Sequence, residues 1–270
     1  MPHPVAFNDQ LLDFNDREAA KLQTGEIRIH RIFPFERFVD LLRANQLTLA
    51  KPHRWDDQFE NPFNSPILDQ STGRTVHASE FETSIFAQCW STLDESDAMW
   101  RIYSPDKRSI LVSVNARELL SSATIEFGIG YPFERLYLGK VRYLPEQKIR
   151  ENLESPSVLK ALLTSPSCSS AAARTLLVKR DSFAHENEVR LILCGHVSEV
   201  PGDFAKLNID TPQCIVQVKL DPRLSGEEVD RQRFLLQAAG CKQPIDQSTI
   251  YATPRVSLSI PNIKWLYQQA

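Results

Sequence analysis

Apolar and polar residues alternate along several short segments of the chain, and this alternation predicts β-strands. Over residues 26–32, Ile27 and Ile29 stand at every second position between charged neighbours, the pattern of a half-buried strand. Further short runs rich in β-branched and apolar residues predict strands over 47–50, 84–91, 110–114, 137–143, 188–193 and 214–220. The chain therefore has enough strand segments for one sizeable sheet.

Other segments repeat apolar residues at helical spacing. Apolar positions 35, 38, 39 and 42 predict an amphipathic helix from Pro34 to about Arg43 that stops near Asn45. Ser225 and Glu228 form a capping box for a helix that ends at Gly240. Helical turns are also expected over 97–103, 116–121, 146–160 and 171–179, the third interrupted by Pro156.

The order of these elements decides the expected fold class. It shows no regular strand–helix alternation and no internal repeat, which favours an α+β fold with one mixed or antiparallel sheet over a doubly wound one. A length of 270 residues is compatible with one core. We expect a helix or strap over residues 1–25, its helical part near 9–21, and a single α+β domain over residues 26–270. Residues 51–78, rich in Pro, Asp and Asn, are expected to form a long irregular surface loop.

The composition and the absence of common motifs exclude several classes of function. A net charge of −3 lacks the basic excess of a strong nucleic-acid binder, although a local basic groove stays open. Apolar runs of a few residues and the absence of a signal-like start predict a cytoplasmic protein without membrane association. The five cysteines form no CxxC pair and the six histidines no i, i+4 pair, so we expect no metal. The dinucleotide, P-loop, zincin and hydrolase motifs are also absent.

Two clusters early in the chain have residue types suited to chemistry. His30 and Arg31 end the first strand of the domain just before a helix, where they could bind an anionic ligand; alternatively they are a solvated strand end. Residues 55–62 interleave aromatic side chains with carboxylates in a loop. The structural alternative is a loop that its aromatic residues hold in place.

Two further clusters lie on later segments. Ser91 and Thr92 end a strand and could present hydroxyl groups to a ligand, and Trp100 and Tyr103, spaced i and i+3 on a helix, could stack on a flat ring. Core packing of the aromatic residues is the alternative. On a strand, Glu186, Glu188 and Arg190 would share one face, and paired carboxylates raise one pKa. The alternative is a solvent-facing strand that Arg190 neutralises.

The chain resembles a widespread bacterial family, the domain of unknown function 2971 family, over residues 27–251. The segments that carry the resemblance are Phe38–Leu42, Trp55–Glu60, Cys89–Ser91, Met99–Tyr103 and Glu186–Leu191. The chain departs from the family pattern at two positions, where Gln58 replaces Pro and Val189 replaces Trp. Neither departure removes a candidate reactive group, but membership of this family names no activity.

The layout of the clusters is also similar to that of the ADP-ribosyltransferase superfamily. The matching order is an Arg or His on the first strand, a Ser-Thr pair on a middle strand and Glu-x-Glu on a later strand. This resemblance implies a split sheet around an NAD-binding cleft, with NAD as a substrate. By analogy, the implied roles are Arg31 at the pyrophosphate, Ser91 with Tyr103 or Trp100 around the nicotinamide, Glu188 at the nicotinamide ribose and Glu186 at the acceptor. His30 and Thr92 are further expected NAD-binding residues.

These observations lead to one main hypothesis and two alternatives. The main one is an enzyme that transfers ADP-ribose or cleaves NAD, as a bacterial toxin or phage-defence effector. Its acceptor would be a protein or a nucleic acid, and a toxin would have a cognate antitoxin. The first alternative is a non-catalytic domain that binds a protein or nucleotide. The second is a nuclease that holds Mg²⁺ with the carboxylates of Asp56, Asp57, Glu186 and Glu188.

Overall fold

A computed structural model of the protein describes residues 12–13, 27–61, 66–68, 71–77, 85–123, 133–155, 170–195 and 202–253. The strands are β1 (Leu12–Asp13), β2 (Arg28–Phe33), β3 (Gln46–Ala50), β4 (Pro66–Leu68), β5 (Thr75–His77), β6 (Ile85–Ser91), β7 (Ile110–Asn115), β8 (Phe133–Lys140), β9 (Arg142–Leu144), β10 (Val178–Arg180), β11 (Glu188–Gly195), β12 (Phe204–Asn208), β13 (Ile215–Leu220) and β14 (Ile245–Gln247). The helices are α1 (Phe35–Ala44), α2 (Asp97–Tyr103), α3 (Ala116–Ser122), α4 (Glu146–Leu153), α5 (Ser170–Thr175), α6 (Thr211–Cys214) and α7 (Gly226–Ala238). Short 3-10 turns cover Pro52–Arg54, Gln58–Glu60 and Asp181–Glu186.

Ten of the described strands form one mixed sheet. Its main order is β1-β8-β11-β6-β2-β7-β13-β14, and β3 joins β12 to the edge of β6. Within this sheet β13 and β14 are parallel and the other pairs are antiparallel. The predicted α+β class with a mixed sheet is confirmed.

The sheet is split beside β6. On one side, β6 pairs with β11 at seven consecutive positions, from Ile85 to Ser91. On the other side, the described strands pair with β6 at two separate positions, Ala87, which meets Ala50 of β3, and Ser91, which meets His30 of β2. The strands β2 and β3 therefore diverge along the middle of β6 and leave a gap in the sheet.

The strand β11 packs on both of its faces, which explains its nearly continuous run of apolar residues. Leu191 and Leu193 belong to the same core cluster as Phe38 of α1. Ile192 and Cys194 belong to a second cluster on the opposite face. Toward the start of β11 this second face changes from apolar to charged side chains, because it continues with Arg190 and Glu188. The charged end of the strand lies at the gap in the sheet.

The sequence patterns predict the central elements well and the connecting segments less well. The helix near 35–43 is confirmed, and it stops at Asn45 in the left-handed conformation. The prediction of one helix over 171–179 is wrong beyond Thr175, because Val178–Arg180 forms β10 beside β9. The predicted strand 137–143 is two strands, and the predicted loop 51–78 contains the β4–β5 hairpin.

Several predictions fall partly outside the described residues. Residues 156–160 of the predicted helix 146–160 lie outside them, as does most of the helix or strap over residues 1–25. The two described residues of that segment, Leu12 and Asp13, form a strand beside β8 instead of a helix. The longest helix that the structure describes, α7, has 13 residues, and none in the described part of the chain could span a bilayer.

Candidate active site

The gap beside β6 opens into a cavity of about 660 Å³. This volume lies within the range of small-molecule sites, roughly 300–1,000 Å³. Its walls come from β2, β6, the loop over residues 54–60, the end of α2 and the segment from β10 to the start of β11. Six of the eight predicted site residues line it: His30, Arg31, Ser91, Tyr103, Glu186 and Glu188.

Arg31 supplies a cation to this cavity that no described carboxylate neutralises. Its Nη1 donates a hydrogen bond to the backbone carbonyl of Cys89, and its guanidinium lies 5.2 Å from the centre of the Phe33 ring. The Nε atom is buried and has no hydrogen-bond partner in the described part of the chain. Burial lowers the pKa of Arg31, but a guanidinium remains protonated at neutral pH. Arg31 therefore retains a donor and a full charge for an anionic ligand.

Ser91 and Thr92 hold the protein's own backbone rather than an open position. The Ser91 hydroxyl donates to the carbonyl of Glu186 at 2.6 Å and accepts from the amide of Leu93 at 3.0 Å. The amide and the hydroxyl of Thr92 both donate to the carbonyl of Asn187, at 3.0 and 3.3 Å. The end of β6 thus fixes the turn that leads into β11.

The two candidate glutamates lie on different elements, contrary to the prediction that they share a strand face. Glu186 ends a 3-10 turn, Asn187 adopts a left-handed conformation at φ 44°, and β11 begins at Glu188. Left-handed backbone is uncommon for residues other than glycine, and asparagine is among those that tolerate it. The predicted shared face of Glu188 and Arg190 is present, and the backbone turn at Asn187 accounts for the different place of Glu186.

Three carboxylates meet around one ammonium group. The Nζ atom of Lys179 lies 3.0 Å from Glu60 and 3.2 Å from Glu188, and it also donates to Glu186. All four side chains are buried. Burial alone would lower the pKa of Lys179, but the surrounding carboxylates, Glu188 and Glu60 foremost, raise it above its ordinary value. Lys179 therefore stays charged and holds the carboxylates together.

Arg190 holds Glu188 from the other side. Its Nε donates to Oε1 of Glu188 at 2.7 Å and its Nη2 to Oε2 at 3.1 Å. Burial alone would raise the pKa of Glu188, but Arg190 and then Lys179 lower it to about 2. The Cys89 thiol also lies against this carboxylate, and burial raises the pKa of the thiol. At neutral pH, Glu188 is a fixed anion beside a protonated thiol.

The two aromatic residues of α2 have different surroundings. Tyr103 is 41% exposed at the cavity rim, and its hydroxyl donates to Oε1 of Glu186 at 2.8 Å. Trp100 is completely buried against Ile32, and its Nε1 donates to Glu95 at 2.9 Å. The structure therefore offers Tyr103, and not Trp100, to a flat ligand.

His30 lines the cavity as a neutral group. Its Nδ1 shares a hydrogen bond of 2.8 Å with the hydroxyl of Ser113, and Asp94 lies 3.7 Å from the same nitrogen. Burial lowers the pKa of His30, although Asp94 opposes this. Because both neighbours approach one nitrogen, this group is not a proton relay of the Ser-His-Asp type, which uses both nitrogens.

The Trp55–Glu60 loop belongs to the cavity wall. The ring of Trp55 lies 4.3 Å from the guanidinium of Arg190, and Asp57 accepts a hydrogen bond of 3.1 Å from Arg180. The sequence indicated neither the meeting of Glu60 with Lys179 nor the place of Lys179 in a strand. The signals that the sequence offered for this cluster were the carboxylates of residues 55–62 and the alternation of Glu188 and Arg190 along β11.

No group of three or more His, Cys, Asp or Glu side chains is arranged to hold a metal ion in the part of the chain that the structure describes. Asp57 pairs with Arg180, and Asp56 is exposed at the cavity edge. Lys179 occupies the space between Glu186 and Glu188. Nothing in this arrangement favours the magnesium-nuclease alternative.

Comparisons with known proteins give limited information. Neither the protein-family models nor the curated proteins give a match. Solved structures that match include three of Thermus sp. 2.9 DarT, each at 10% identity. They are the complex with NAD⁺ (TM-score 0.36, 84% of this chain and 98% of that chain), the complex with ADP-ribosylated ssDNA (0.39, 84% and 97%) and the complex with carba-NAD⁺ (0.32, 82% and 95%). The chain resembles DarT over most of its length, at an identity and TM-scores that assign neither an activity nor a substrate. Membership of the bacterial family stays a prediction.

Proposed function

We propose that the protein is an NAD-consuming enzyme that transfers ADP-ribose or cleaves NAD. The observation that carries this proposal is that Arg31, Ser91 and Glu188, from three separate parts of the chain, meet at one cavity. A guanidinium suits a pyrophosphate, and a fixed carboxylate stabilises positive charge that develops on a ribose.

Arg31 is the proposed pyrophosphate ligand. Its Nε atom has no partner, and its charge has no counter-ion among the described residues. A phosphate oxygen would accept a hydrogen bond from Nε, and its negative charge would neutralise the guanidinium. Tyr103 at the rim offers its ring to the nicotinamide, while Ser91 and Thr92 act indirectly by holding the turn at Asn187.

Glu188 is the proposed catalytic carboxylate. The bond that breaks joins the ribose to the nicotinamide nitrogen, which leaves with the bonding electrons, so positive charge develops on the ribose. Glu188 remains ionised because its pKa is lowered to about 2 by Arg190 and Lys179, which outweigh burial. Glu186, which accepts a hydrogen bond from Tyr103, is placed to orient the incoming acceptor, whose nucleophilic atom bonds to the ribose and releases its proton to solvent water.

The acceptor and the biological setting stay predictions. A protein or nucleic acid acceptor, a role as a toxin or phage-defence effector and a cognate antitoxin follow from the resemblance stated above, and a cytoplasmic location follows from the apolar pattern of the sequence. Without an added acceptor, water would take its place, so NAD⁺ hydrolysis is the activity to measure first.

The test is the release of nicotinamide from NAD⁺ by the purified chain, measured by liquid chromatography. Glu188→Gln should lower turnover by about 10²–10³-fold, because it removes charge that stabilises the transition state. Glu36→Gln is the matched control, since Glu36 is exposed on α1 away from the cavity. A wild-type chain that releases no nicotinamide, or equal turnover in the two variants, would contradict the proposal.

One observation favours the alternative of a non-catalytic nucleotide-binding domain. Lys179 already pairs with both candidate glutamates, and Arg190 pairs with Glu188, as in a network that only stabilises the fold. This alternative predicts saturable binding of NAD⁺ in isothermal titration calorimetry without nicotinamide release. The turnover assay therefore separates the two functions.

A further inference from the structure

Glu60 links the loop wall of the cavity to the candidate catalytic carboxylate. It lies in the 3-10 turn Gln58–Glu60, and its side chain is buried. One carboxylate oxygen lies 3.0 Å from Nζ of Lys179, and the other accepts a hydrogen bond from Nη2 of Arg190. Glu60 therefore contacts both of the cations that hold Glu188.

The guanidinium of Arg190 has little freedom to move. Its Nη1 donates to the carbonyl of Leu176 at 2.5 Å, its Nη2 reaches both Glu60 and Glu188, and the ring of Trp55 lies 4.3 Å away. Arg190 is completely buried. Because a guanidinium donates in a rigid planar fork, the position of Glu60 helps to set the direction in which Arg190 meets Glu188.

The charges of the cluster depend on Glu60. The carboxylates of Glu60, Glu186 and Glu188 face the cations of Lys179 and Arg190, so the cluster carries one net negative charge when all five groups are ionised. Without the charge of Glu60, the two cations would neutralise the remaining pair of carboxylates completely. A neutral cluster stabilises a cationic transition state less than an anionic one does.

We infer that Glu60 is a positioning residue for the proposed reaction: it draws Lys179 and Arg190 partly away from Glu188 and leaves one net negative charge within the cluster of these five side chains. The inference rests on the proposed function for its effect on turnover. The contacts themselves can be tested without any activity.

The kinetic test compares Glu60→Gln, Glu60→Asp and the control Glu36→Gln. Glu60→Gln should lower kcat for NAD⁺ cleavage by about 10- to 100-fold, the cost of displacing a reacting group through a remote substitution. KM for NAD⁺ should stay within about twofold, because Glu60 is not assigned to substrate binding. Glu60→Asp keeps the charge and should recover part of kcat. A kcat for Glu60→Gln equal to that of Glu36→Gln, or no recovery with Asp, would overturn the inference.

Crystal structures of the two Glu60 variants give a second readout. The Lys179 and Arg190 contacts to Glu188 should shift in Glu60→Gln and be largely retained in Glu60→Asp. Unchanged contacts in Glu60→Gln would overturn the inference. If Glu60→Gln does not fold, Glu60→Asp tests the inference alone. The shorter Asp side chain should lower kcat below the wild-type value, and an unchanged kcat would refute the inference. If the wild type leaves NAD⁺ intact, the proposed function fails, and the structures alone decide the role of Glu60.

Discussion

The hydroxyl of Ser91 donates a hydrogen bond to the backbone carbonyl of Glu186, 95 residues further along the chain. Together with the two bonds from Thr92 to Asn187, this bond joins the end of β6 to the turn that precedes β11, its neighbour in the sheet. A residue pair that the sequence indicated as a ligand contact therefore acts on the backbone between the two glutamates.

Ser91→Ala should destabilise the fold. It leaves the Glu186 carbonyl and the Leu93 amide without their hydroxyl partner, and an unsatisfied buried polar group costs about 1–3 kcal/mol. Urea unfolding measures the loss. Ser121→Ala, at an exposed position of α3, should change the free energy of unfolding by no more than about 0.5 kcal/mol. Equal effects of the two substitutions would show that the Ser91 bond contributes no stability.

Arg31→Ala should weaken NAD⁺ binding. A hydrogen bond to a charged group contributes about 1.5–3 kcal/mol, so Kd should rise by about 10- to 100-fold. Isothermal titration calorimetry measures Kd, and Arg37→Ala, at an exposed position of α1, is the matched control. An unchanged Kd would remove Arg31 from the proposed phosphate site.

Tyr103→Phe and Trp100→Phe should have different effects, although both residues lie on α2. Tyr103→Phe removes the hydrogen bond to Glu186 and should lower kcat by roughly 10-fold, as expected for loss of a bond to a charged group. Trp100→Phe should leave kcat nearly unchanged but lower the free energy of unfolding by about 1–3 kcal/mol, because Trp100 is buried. Nicotinamide release gives kcat, and urea unfolding gives the free energy of unfolding, for both variants. A larger kcat loss in Trp100→Phe would contradict the assignment.

The stabilising effect of Glu188 should depend on pH. Burial raises its pKa, but Arg190 and Lys179 outweigh burial and lower the pKa from 4.5 to about 2. A carboxylate with a depressed folded-state pKa stabilises the fold above its unfolded pKa, and this stability is lost as pH falls toward the folded value. The difference in unfolding free energy between wild type and Glu188→Gln should therefore shrink from pH 6 to pH 3. The exposed control Glu36→Gln should differ little from the wild type in unfolding free energy at every pH. A difference between wild type and Glu188→Gln that stays constant with pH would contradict the lowered pKa of Glu188.

Local patterns predict the central strands and α1, because alternation and helical spacing report directly on burial. They fail at Lys179, which falls in the helix predicted over 171–179 but pairs with β9 in the structure. They fail again at Glu186, because the left-handed turn at Asn187 has no periodic signature.

Local patterns also predict which residues belong to the candidate site but not which of them meet. The sequence indicates Arg31 and the two glutamates because they follow one another in the order of the ADP-ribosyltransferase resemblance. It cannot indicate that Glu60 pairs with Arg190, which is 130 residues away, because such a contact depends on the packed fold. The burial of Trp100 and the exposure of Tyr103 likewise follow from how α2 packs against Ile32.

The single pairing between His30 and Ser91 has a mechanical consequence. Strand β6 pairs with β11 at seven positions and β2 with β7 at six, whereas β6 meets β2 and β3 at one described pair each. A ligand that spreads the sheet along this side of β6 would break those two pairs and leave the ladders on either side intact. Widening the cavity therefore breaks fewer strand pairs than separating β6 from β11 or β2 from β7.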